Sequence, residues 1–203
     1  MFCRIAILGL VVLCAAPLPA GTIFQDNFNS NLAQNLSNAP GGWSQSGGTV
    51  DVILHLVNWS LPCVGGTGAC VDLDGSTNQP GLLSPNLTFD LLAGYTYSLS
   101  YYLAGSQRGD SNSVTVTLAT KSQSHTLASA DAYQQFTLTF TPLANLTGQI
   151  FSFKNSGGDN TGALLDSVVL TETAPTQTAV PEPGTAMLIC AGLGVAALLR
   201  RKA

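Results

Sequence analysis

The sequence predicts an antiparallel β-sandwich flanked by an apolar segment at each end of the chain. Residues 114–118 and 136–140 alternate apolar and polar side chains, a pattern that places one side of a strand in a core. Pairs such as Gly41-Gly42 and Gly157-Gly158 interrupt these runs and favour turns. No helical pattern of useful length occurs between the two ends. Many short strands with glycine-rich turns indicate an all-β sandwich or barrel.

The candidate strands fill one domain of ordinary length, which we place at residues 21–173. A domain of this size buries about two-thirds of the surface that its unfolded chain exposes, so it can form a substantial core. A small polar linker at residues 174–179 follows it. The further candidate strands are residues 22–28, 49–54, 70–74, 82–91, 95–103, 149–154 and 164–171.

The first 20 residues read as a secretory signal peptide. Arg4 supplies the positive charge, an apolar run follows to Cys14, and small residues offer cleavage after Ala20 or, alternatively, after Ala16. Cys14 also invites a lipoprotein interpretation, but Leu13 stands where a lipidation motif needs a small residue. We therefore expect export with a cleaved leader.

Residues 184–199 form an uncharged stretch of sixteen residues that ends in Arg200, Arg201 and Lys202. As a helix it would cover about 24 Å, close to the hydrocarbon core of a bilayer. The basic cluster should stay in the cytoplasm by the positive-inside rule, which puts the body of the protein outside the inner membrane. The alternative is a buried core helix, although three consecutive cations after such a stretch are unusual for one.

The residues before this stretch complete a recognisable tail. Val180, Pro181, Glu182 and Pro183 precede the apolar segment and the basic end. These three parts, in this order, resemble the PEP-CTERM sorting signal over about residues 179 to 203. The resemblance implies recognition by an exosortase, a membrane cysteine protease-transpeptidase, and removal of the apolar tail from a transiently anchored protein. The final location would be the cell surface or the extracellular matrix.

Charge is scarce in the body and mostly negative. Between the two apolar ends lie ten acidic residues and three cations, which are Arg108, Lys121 and Lys154. Without a basic patch, nucleic acid is an unfavourable partner.

Two cysteines remain once the ends are set aside. Cys63 and Cys70 bracket a glycine-rich loop that can bring their Cα atoms within bridging range. In an exported protein such a pair predicts a disulfide. A metal site would need further Cys or His ligands, and only His55 is near.

The body resembles a family of secreted galactose-binding-like domains over about residues 22 to 172. The motifs that carry the resemblance occur in the family's order. They are Trp43, residues 48–53, Trp59, residues 70–75, residues 94–99, Ala104-Gly105 and residues 165–168. The resemblance implies a jelly roll of about eight or nine strands and a tendency to bind polysaccharide.

Such domains often hold a structural calcium ion where the first strand meets the last. The resemblance implies Asp26, Asn29 and Asp166 as ligands, because calcium prefers carboxylate and amide oxygens. The alternative is that Asp26 and Asn29 form a turn while Asp166 accepts backbone hydrogen bonds.

Four residues are candidates for ligand binding: Trp59, Asp72, Asp74 and Tyr102. Asp72 and Asp74 lie two residues apart on one face of a strand. They could bind a sugar, act as a carboxylate pair in glycoside hydrolysis, or simply orient a loop. Trp59 and Tyr102, like Trp43 and Tyr133, could stack on a sugar ring, although large aromatic residues are more often core, which we favour for Trp43.

We therefore expect a non-catalytic surface or matrix module that binds the exopolysaccharide. Alternatives are a purely structural protein of biofilm or floc assembly and, less favoured, a secreted glycoside hydrolase. No Gly-x-Ser-x-Gly motif occurs. Arg108-Gly109-Asp110 spells an adhesion tripeptide, but its place in a Gly/Ser-rich loop makes chance an adequate explanation.

Overall fold

The computed structural model of the protein describes residues 20–31, 33 and 35–176. Within these residues the chain forms thirteen β-strands and one 3-10 helix, Val64–Gly66. The strands are β1 Gly21–Asp26, β2 Trp43–Ser46, β3 Asp51–Leu54, β4 Ala69–Asp72, β5 Leu82–Pro85, β6 Phe89–Leu91, β7 Thr96–Ala104, β8 Asn112–Leu118, β9 Lys121–Leu127, β10 Gln134–Phe140, β11 Leu146–Gln149, β12 Phe151–Ser156 and β13 Leu164–Thr173.

All of the strand pairs are antiparallel, and they build two main sheets that face each other. The larger sheet has the order β10-β7-β13-β4-β3, and β1 also pairs with β13. The second sheet has the order β2-β5-β12-β8-β9, and β11 pairs with β6 in a short two-stranded sheet. The predicted all-β antiparallel sandwich is confirmed.

The core lies between the two sheets and follows the alternation seen in the sequence. Along β7 every second side chain is buried, from Tyr97 through Leu99 and Tyr101 to Leu103. The opposite sheet contributes side chains that are buried in the same cluster. They are Leu83, Val114, Val116, Leu118, Phe151 and Phe153. Burial of these apolar side chains stabilises the sandwich.

Strand β13 organises the larger sheet because two strands share one of its edges. Leu164 and Leu165 pair with β4, whereas the later residues of β13 pair with β1. Between the two partners the register with β7 shifts from Asp166 to Val169, and Ser167 has a φ of 51°. This bulge breaks the alternation of β13 and leaves Asp166 on the outer face of the sheet, in register with Tyr102.

The β3–β4 loop covers part of that outer face. Ile53, Cys70, Ala104 and Leu164, which belong to four neighbouring strands, form a second buried cluster with Leu61 and Cys63 of the loop, and Tyr133 packs against it. The loop therefore lies on the sheet instead of extending into solvent.

The structure has strands that the sequence pattern did not predict. Strands β2, β9 and β11 were missed, and the expected strand at 82–91 is two strands that belong to different sheets. In β9 the first four side chains are exposed, because this strand is the edge of its sheet. An edge strand with polar residues on both faces lacks the alternation that marks a strand in sequence.

Both apolar end segments fall outside the described residues. The predicted signal peptide, the sorting motif and the apolar stretch 184–199 are therefore not part of the structural description. Among residues 20–31, 33 and 35–176, no helix is both long and apolar enough to span a bilayer.

Candidate functional site

The site is built on the outer face of the larger sheet, where β4 ends. Asp72, the last residue of β4, is fully buried and forms an ion pair with Arg108 of the β7–β8 loop. The guanidinium carbon of Arg108 lies 5.3 Å from the centre of the Trp59 ring, in a cation–π contact. These three residues come from three separate segments and contact one another in series, with Trp59 at the surface and Asp72 buried; we call them the Trp59–Arg108 platform.

Asp72 is held in place by backbone donors as well as by Arg108. Its Oδ1 atom accepts hydrogen bonds from the backbone N–H groups of Asp74 at 3.1 Å and Gly162 at 3.0 Å. A Cβ at Gly162 would lie 2.4 Å from this oxygen, so only glycine allows so close an approach. Burial raises the pKa of Asp72 to about 7, although the charge of Arg108 lowers it. The carboxylate therefore depends on Arg108 for its charged form near neutral pH.

Trp59 sits on a loop that is unusually apolar on its exposed side. Trp59 is 50% exposed, and the neighbouring residues Leu56 and Val57 are 57% and 68% exposed. The loop is nevertheless fixed to the sheet, since Asn58 is buried and accepts a hydrogen bond from the Leu54 backbone at 3.0 Å. Trp59 itself has a φ of 48°, a left-handed conformation that is uncommon for a bulky residue.

A disulfide closes the same loop. Cys63 and Cys70 are bonded, as the sequence predicted, with their Cα atoms 5.5 Å apart. The backbone N–H of Cys63 donates to Nδ1 of His55 at 2.9 Å, so His55 supports the loop. Because the two cysteines are bonded to each other, the alternative metal site with His55 is excluded in this structure.

Of the four predicted ligand-binding residues, the structure brings two into the Trp59–Arg108 platform. Trp59 and Asp72 meet through Arg108. Tyr102 is half-buried on the outer face of β7 and pairs with Asp166 in register. Asp74 is fully buried beside the β12–β13 loop, where burial raises its pKa. Neither Asp72 nor Asp74 has side-chain surface open to solvent.

The sequence pattern did not assign Arg108 to the site. Its tripeptide context suggested a chance match, and its partner Asp72 is 36 residues away along the chain. One available signal was charge balance, because Arg108 is one of only three cations in the acidic body.

The two remaining aromatic candidates lie elsewhere. Trp43 is buried in the core, as expected, and the Tyr133 hydroxyl donates to the Pro62 carbonyl at 3.3 Å.

The residues predicted to bind calcium make hydrogen bonds within the protein. Both carboxylate oxygens of Asp26 are acceptors, from the Phe28 backbone at 2.7 Å and the Trp43 indole at 2.8 Å. The amide oxygen of Asn29 accepts from the Ala69 backbone at 3.0 Å. These contacts fit the alternative role of a turn and a loop support.

Asp166, the third predicted ligand, is also engaged. It accepts hydrogen bonds from the Val64 backbone at 2.9 Å and from the Ser167 hydroxyl at 3.1 Å. Burial raises its pKa to about 6, and these hydrogen bonds lower it. Each named oxygen of this trio accepts a hydrogen bond from a protein donor, which fits the alternative of a turn with backbone contacts, and the expected calcium ion stays a prediction.

Comparison with known families identifies the sequence motif in the C-terminal tail. Residues 179–202 match the family described as the PEP-CTERM protein-sorting motif. The chain carries a PEP-CTERM sorting motif. The matched residues include the Val180-Pro181-Glu182-Pro183 sequence and the basic residues that end the apolar stretch. A PEP-CTERM motif indicates export and a C-terminal membrane anchor before processing.

Comparison with solved structures bears on the body alone. The arabinose-bound MgGH51 α-L-arabinofuranosidase has a TM-score of 0.54 and 14% identity over 78% of this chain. The chain spans only about a quarter of that enzyme, 27% of its length, so the likeness is to one part of it. At this identity the likeness shows the sandwich fold and nothing further.

Two smaller structures are similar over nearly their whole length. The CBM22-1 xylan-binding domain of Paenibacillus barcinonensis Xyn10C has a TM-score of 0.48 and 12% identity, covering 78% of this chain and 99% of that one. The K3 cleaved adhesin domain of Lys-gingipain from Porphyromonas gingivalis w83 has a TM-score of 0.47 and 13% identity, covering 74% and 99%. No curated protein matches the sequence.

Proposed function

We propose that this protein is an exported surface or matrix protein whose sandwich binds carbohydrate without catalysis, with the exopolysaccharide around the cell as its ligand. The observation that carries the proposal is the Trp59–Arg108 platform. A half-exposed indole beside a fixed guanidinium offers an apolar ring face and hydrogen-bond donors in one place. A sugar ring presents the matching combination of an apolar face and hydroxyl groups.

The ion pair with Asp72 favours this role because it orders Arg108 before any ligand arrives. Arg108 donates to a carboxylate that backbone groups already hold, so little of its conformational entropy remains to be lost on binding. The disulfide and Asn58 order the Trp59 loop in the same way. A single sugar unit binds weakly, so its binding is favoured by polar and aromatic groups that are ordered beforehand.

The fold is compatible with the proposal but does not carry it. Similar sandwiches include one described as xylan-binding and one that is part of an arabinose-bound enzyme, and the likeness to them concerns fold only. The proposal of a non-catalytic role rests on burial. Asp72 and Asp74, the carboxylates suggested for glycoside hydrolysis, are both fully buried, so neither can reach a glycosidic bond from its present position.

The sorting motif supplies the proposed setting. An exosortase would act at the Pro181-Glu182-Pro183 element, remove the apolar tail and release the sandwich from the inner membrane. The mature protein would then reach the cell surface or the matrix, where polysaccharide is abundant. The calcium ion expected near Asp26 and Asp166 is not needed for this proposal.

The experiment is retention of the protein on exopolysaccharide extracted from the producing cells. We expect the Trp59→Ala variant to bind about tenfold more weakly than the wild type, since an aromatic stacking contact contributes about 1 kcal/mol beyond its buried area. Leu143→Ala is the matched control because Leu143 is 99% exposed and remote from the platform in sequence. Wild-type protein that fails to bind at millimolar sugar concentration, or equal binding by the Trp59→Ala variant, would overturn the proposal.

A further inference from the structure

A cluster of buried oxygen atoms lies beyond the platform, at the same end of the sandwich. Asp74 follows β4, Asp110 and Asn112 lie where β8 begins, and Asn155 lies near the end of β12. Asp74, Asn112 and Asn155 are 0%, 2% and 1% exposed. We call these four residues the Asp74 cluster.

The cluster contains more acceptors than donors. The side-chain amide of Asn155 donates to Oδ1 of Asn112 at 2.7 Å, and the amide of Asn112 donates to Oδ2 of Asp110 at 2.6 Å. Three buried oxygens of the cluster have no hydrogen-bond partner in the described part of the protein. They are Oδ1 of Asp74, Oδ1 of Asp110 and Oδ1 of Asn155. Buried polar atoms are nearly always partnered, so three unpartnered acceptors in one cluster need an explanation.

Three of the four side chains of the cluster, those of Asp74, Asn112 and Asn155, approach Gly157. A Cβ built on Gly157 would lie 2.8 Å from Oδ2 of Asp74, 3.1 Å from Nδ2 of Asn155 and 3.5 Å from Oδ1 of Asn112. No other side chain can therefore replace the glycine without displacing the Asp74 carboxylate. The carboxylate and the two amides converge on the same small region from three different segments of the chain.

No ion pair in the described part of the chain neutralises the carboxylates of this cluster. The Arg108–Asp72 pair is the one salt bridge that the structure has within residues 20–31, 33 and 35–176. Asp74 and Asp110 thus have no cation bonded to them in that part of the chain. Burial raises the pKa of Asp74, the Asp159 charge raises it further, and the Arg108 charge lowers it. Burying unpaired carboxylates is costly unless a cation or a proton compensates them.

We propose that the Asp74 cluster binds a divalent cation with the oxygen preference of calcium. Asp74 and Asp110 would supply carboxylate oxygens and Asn155 an amide oxygen, which are the atoms left without partners. Calcium accepts amide and carbonyl oxygens alongside carboxylates, whereas magnesium usually keeps several of its waters and uses one or two carboxylates. This site is separate from the calcium ion predicted at Asp26, Asn29 and Asp166.

The competing explanation is a proton. If Asp74 is protonated, its hydroxyl can donate to a neighbouring acceptor, and the raised pKa of the buried carboxyl favours that form. A hydroxyl on Asp74 that donates to a neighbouring acceptor satisfies at most two of the three unpartnered oxygens, whereas a cation can bind several oxygens at once. The two explanations differ in whether calcium stabilises the fold.

The test is a calorimetric titration of the full-length protein with calcium, after EDTA has removed any bound metal. We expect the wild type to bind calcium and Asp74→Asn to lose one ion or at least tenfold in affinity. Asp166→Asn is the matched control, because it removes a buried carboxylate at the other predicted site. Loss of calcium in Asp166→Asn with normal binding in Asp74→Asn would assign the ion to that other site and overturn this proposal, as would a wild type that binds none.

A thermal unfolding measurement keeps the test decisive if Asp74→Asn alters the fold. Removing an uncompensated charge should raise the Tm of the metal-free protein, and the same change should abolish the increase in Tm that calcium gives the wild type. Asp110→Asn serves as a second variant with a more accessible carboxylate and should reduce the calcium effect as well. An equal calcium-induced rise in Tm in the wild type and both variants would contradict the proposal.

Discussion

At the scale of single residues, the platform depends on the ion pair between Asp72 and Arg108, in which each charge compensates the other. Asp72 is fully buried, and Arg108 has only 19% of its side-chain surface exposed. Deleting one member of such a pair leaves the other charge buried without a partner, which typically costs about 3–5 kcal/mol. Replacing both members can cost much less, because no uncompensated charge then remains.

We therefore predict strong non-additivity for this pair. Arg108→Met should lower the free energy of unfolding by about 3 kcal/mol, and the double variant Asp72→Asn, Arg108→Met should recover part of that loss. Urea denaturation of the wild type, both single variants and the double variant measures the coupling. If the effects of the two single changes simply add, the pair does not stabilise the site in the way described.

Residue chemistry was only partly visible in the sequence. Trp59 and Asp72 attracted attention because their types are typical of sugar sites, and both belong to the platform. Arg108 did not, since nothing local links it to a carboxylate 36 residues earlier. The Asp74 cluster was equally hidden, because Asn112 and Asn155 are ordinary polar residues until two strands pair and bring them together.

At the scale of elements, the β3–β4 loop is the part of the fold most closely tied to the proposed function. It carries Trp59 on its exposed side and packs Leu61 and Cys63 against the sheet on its other side. The Cys63–Cys70 bond spans a sequence separation of 7 residues. Closing a loop of about this length contributes about 2.5 kcal/mol in the chain-entropy description.

Replacing both cysteines by alanine should therefore lower the free energy of unfolding by about 2–3 kcal/mol and weaken polysaccharide binding through the freed Trp59 loop. Urea denaturation and the retention assay measure the two effects. Reductant provides the internal control. It should lower the stability and the polysaccharide binding of the wild type and leave both properties of the double-alanine variant unchanged. Full stability and full binding in that variant would show that the bond is dispensable.

Strands with one buried face were predicted more accurately than strands with little buried surface. Strand β7 was predicted nearly to its ends because one face is core and the other is polar. Strand β9 was missed because it is a sheet edge with little buried surface, and the segment 82–91 was read as one strand although the chain changes sheets after Pro85. Alternation reveals a half-buried strand, but it does not reveal which sheet a strand joins.

At the scale of the whole molecule, two kinds of information lie in separate parts of the chain. The PEP-CTERM motif at residues 179–202 indicates export, and the sandwich between the ends carries the candidate site. The order of parts was visible in the sequence because membrane and sorting segments depend on composition and position. The arrangement of the site was not, because it depends on contacts among β4, the β7–β8 loop and the β3–β4 loop.

The central claim is that a processed, exported sandwich binds the polysaccharide outside the cell. The most direct measurement is the intact mass of the protein that is retained on exopolysaccharide from the producing culture and then eluted. We expect one retained species whose mass lacks residues 1–20 and the tail after the Pro181-Glu182-Pro183 element, and a Pro181-Glu182-Pro183→Ala variant should keep that tail. Retained protein that still contains residues 184–203, or processed protein that is not retained, would contradict the account.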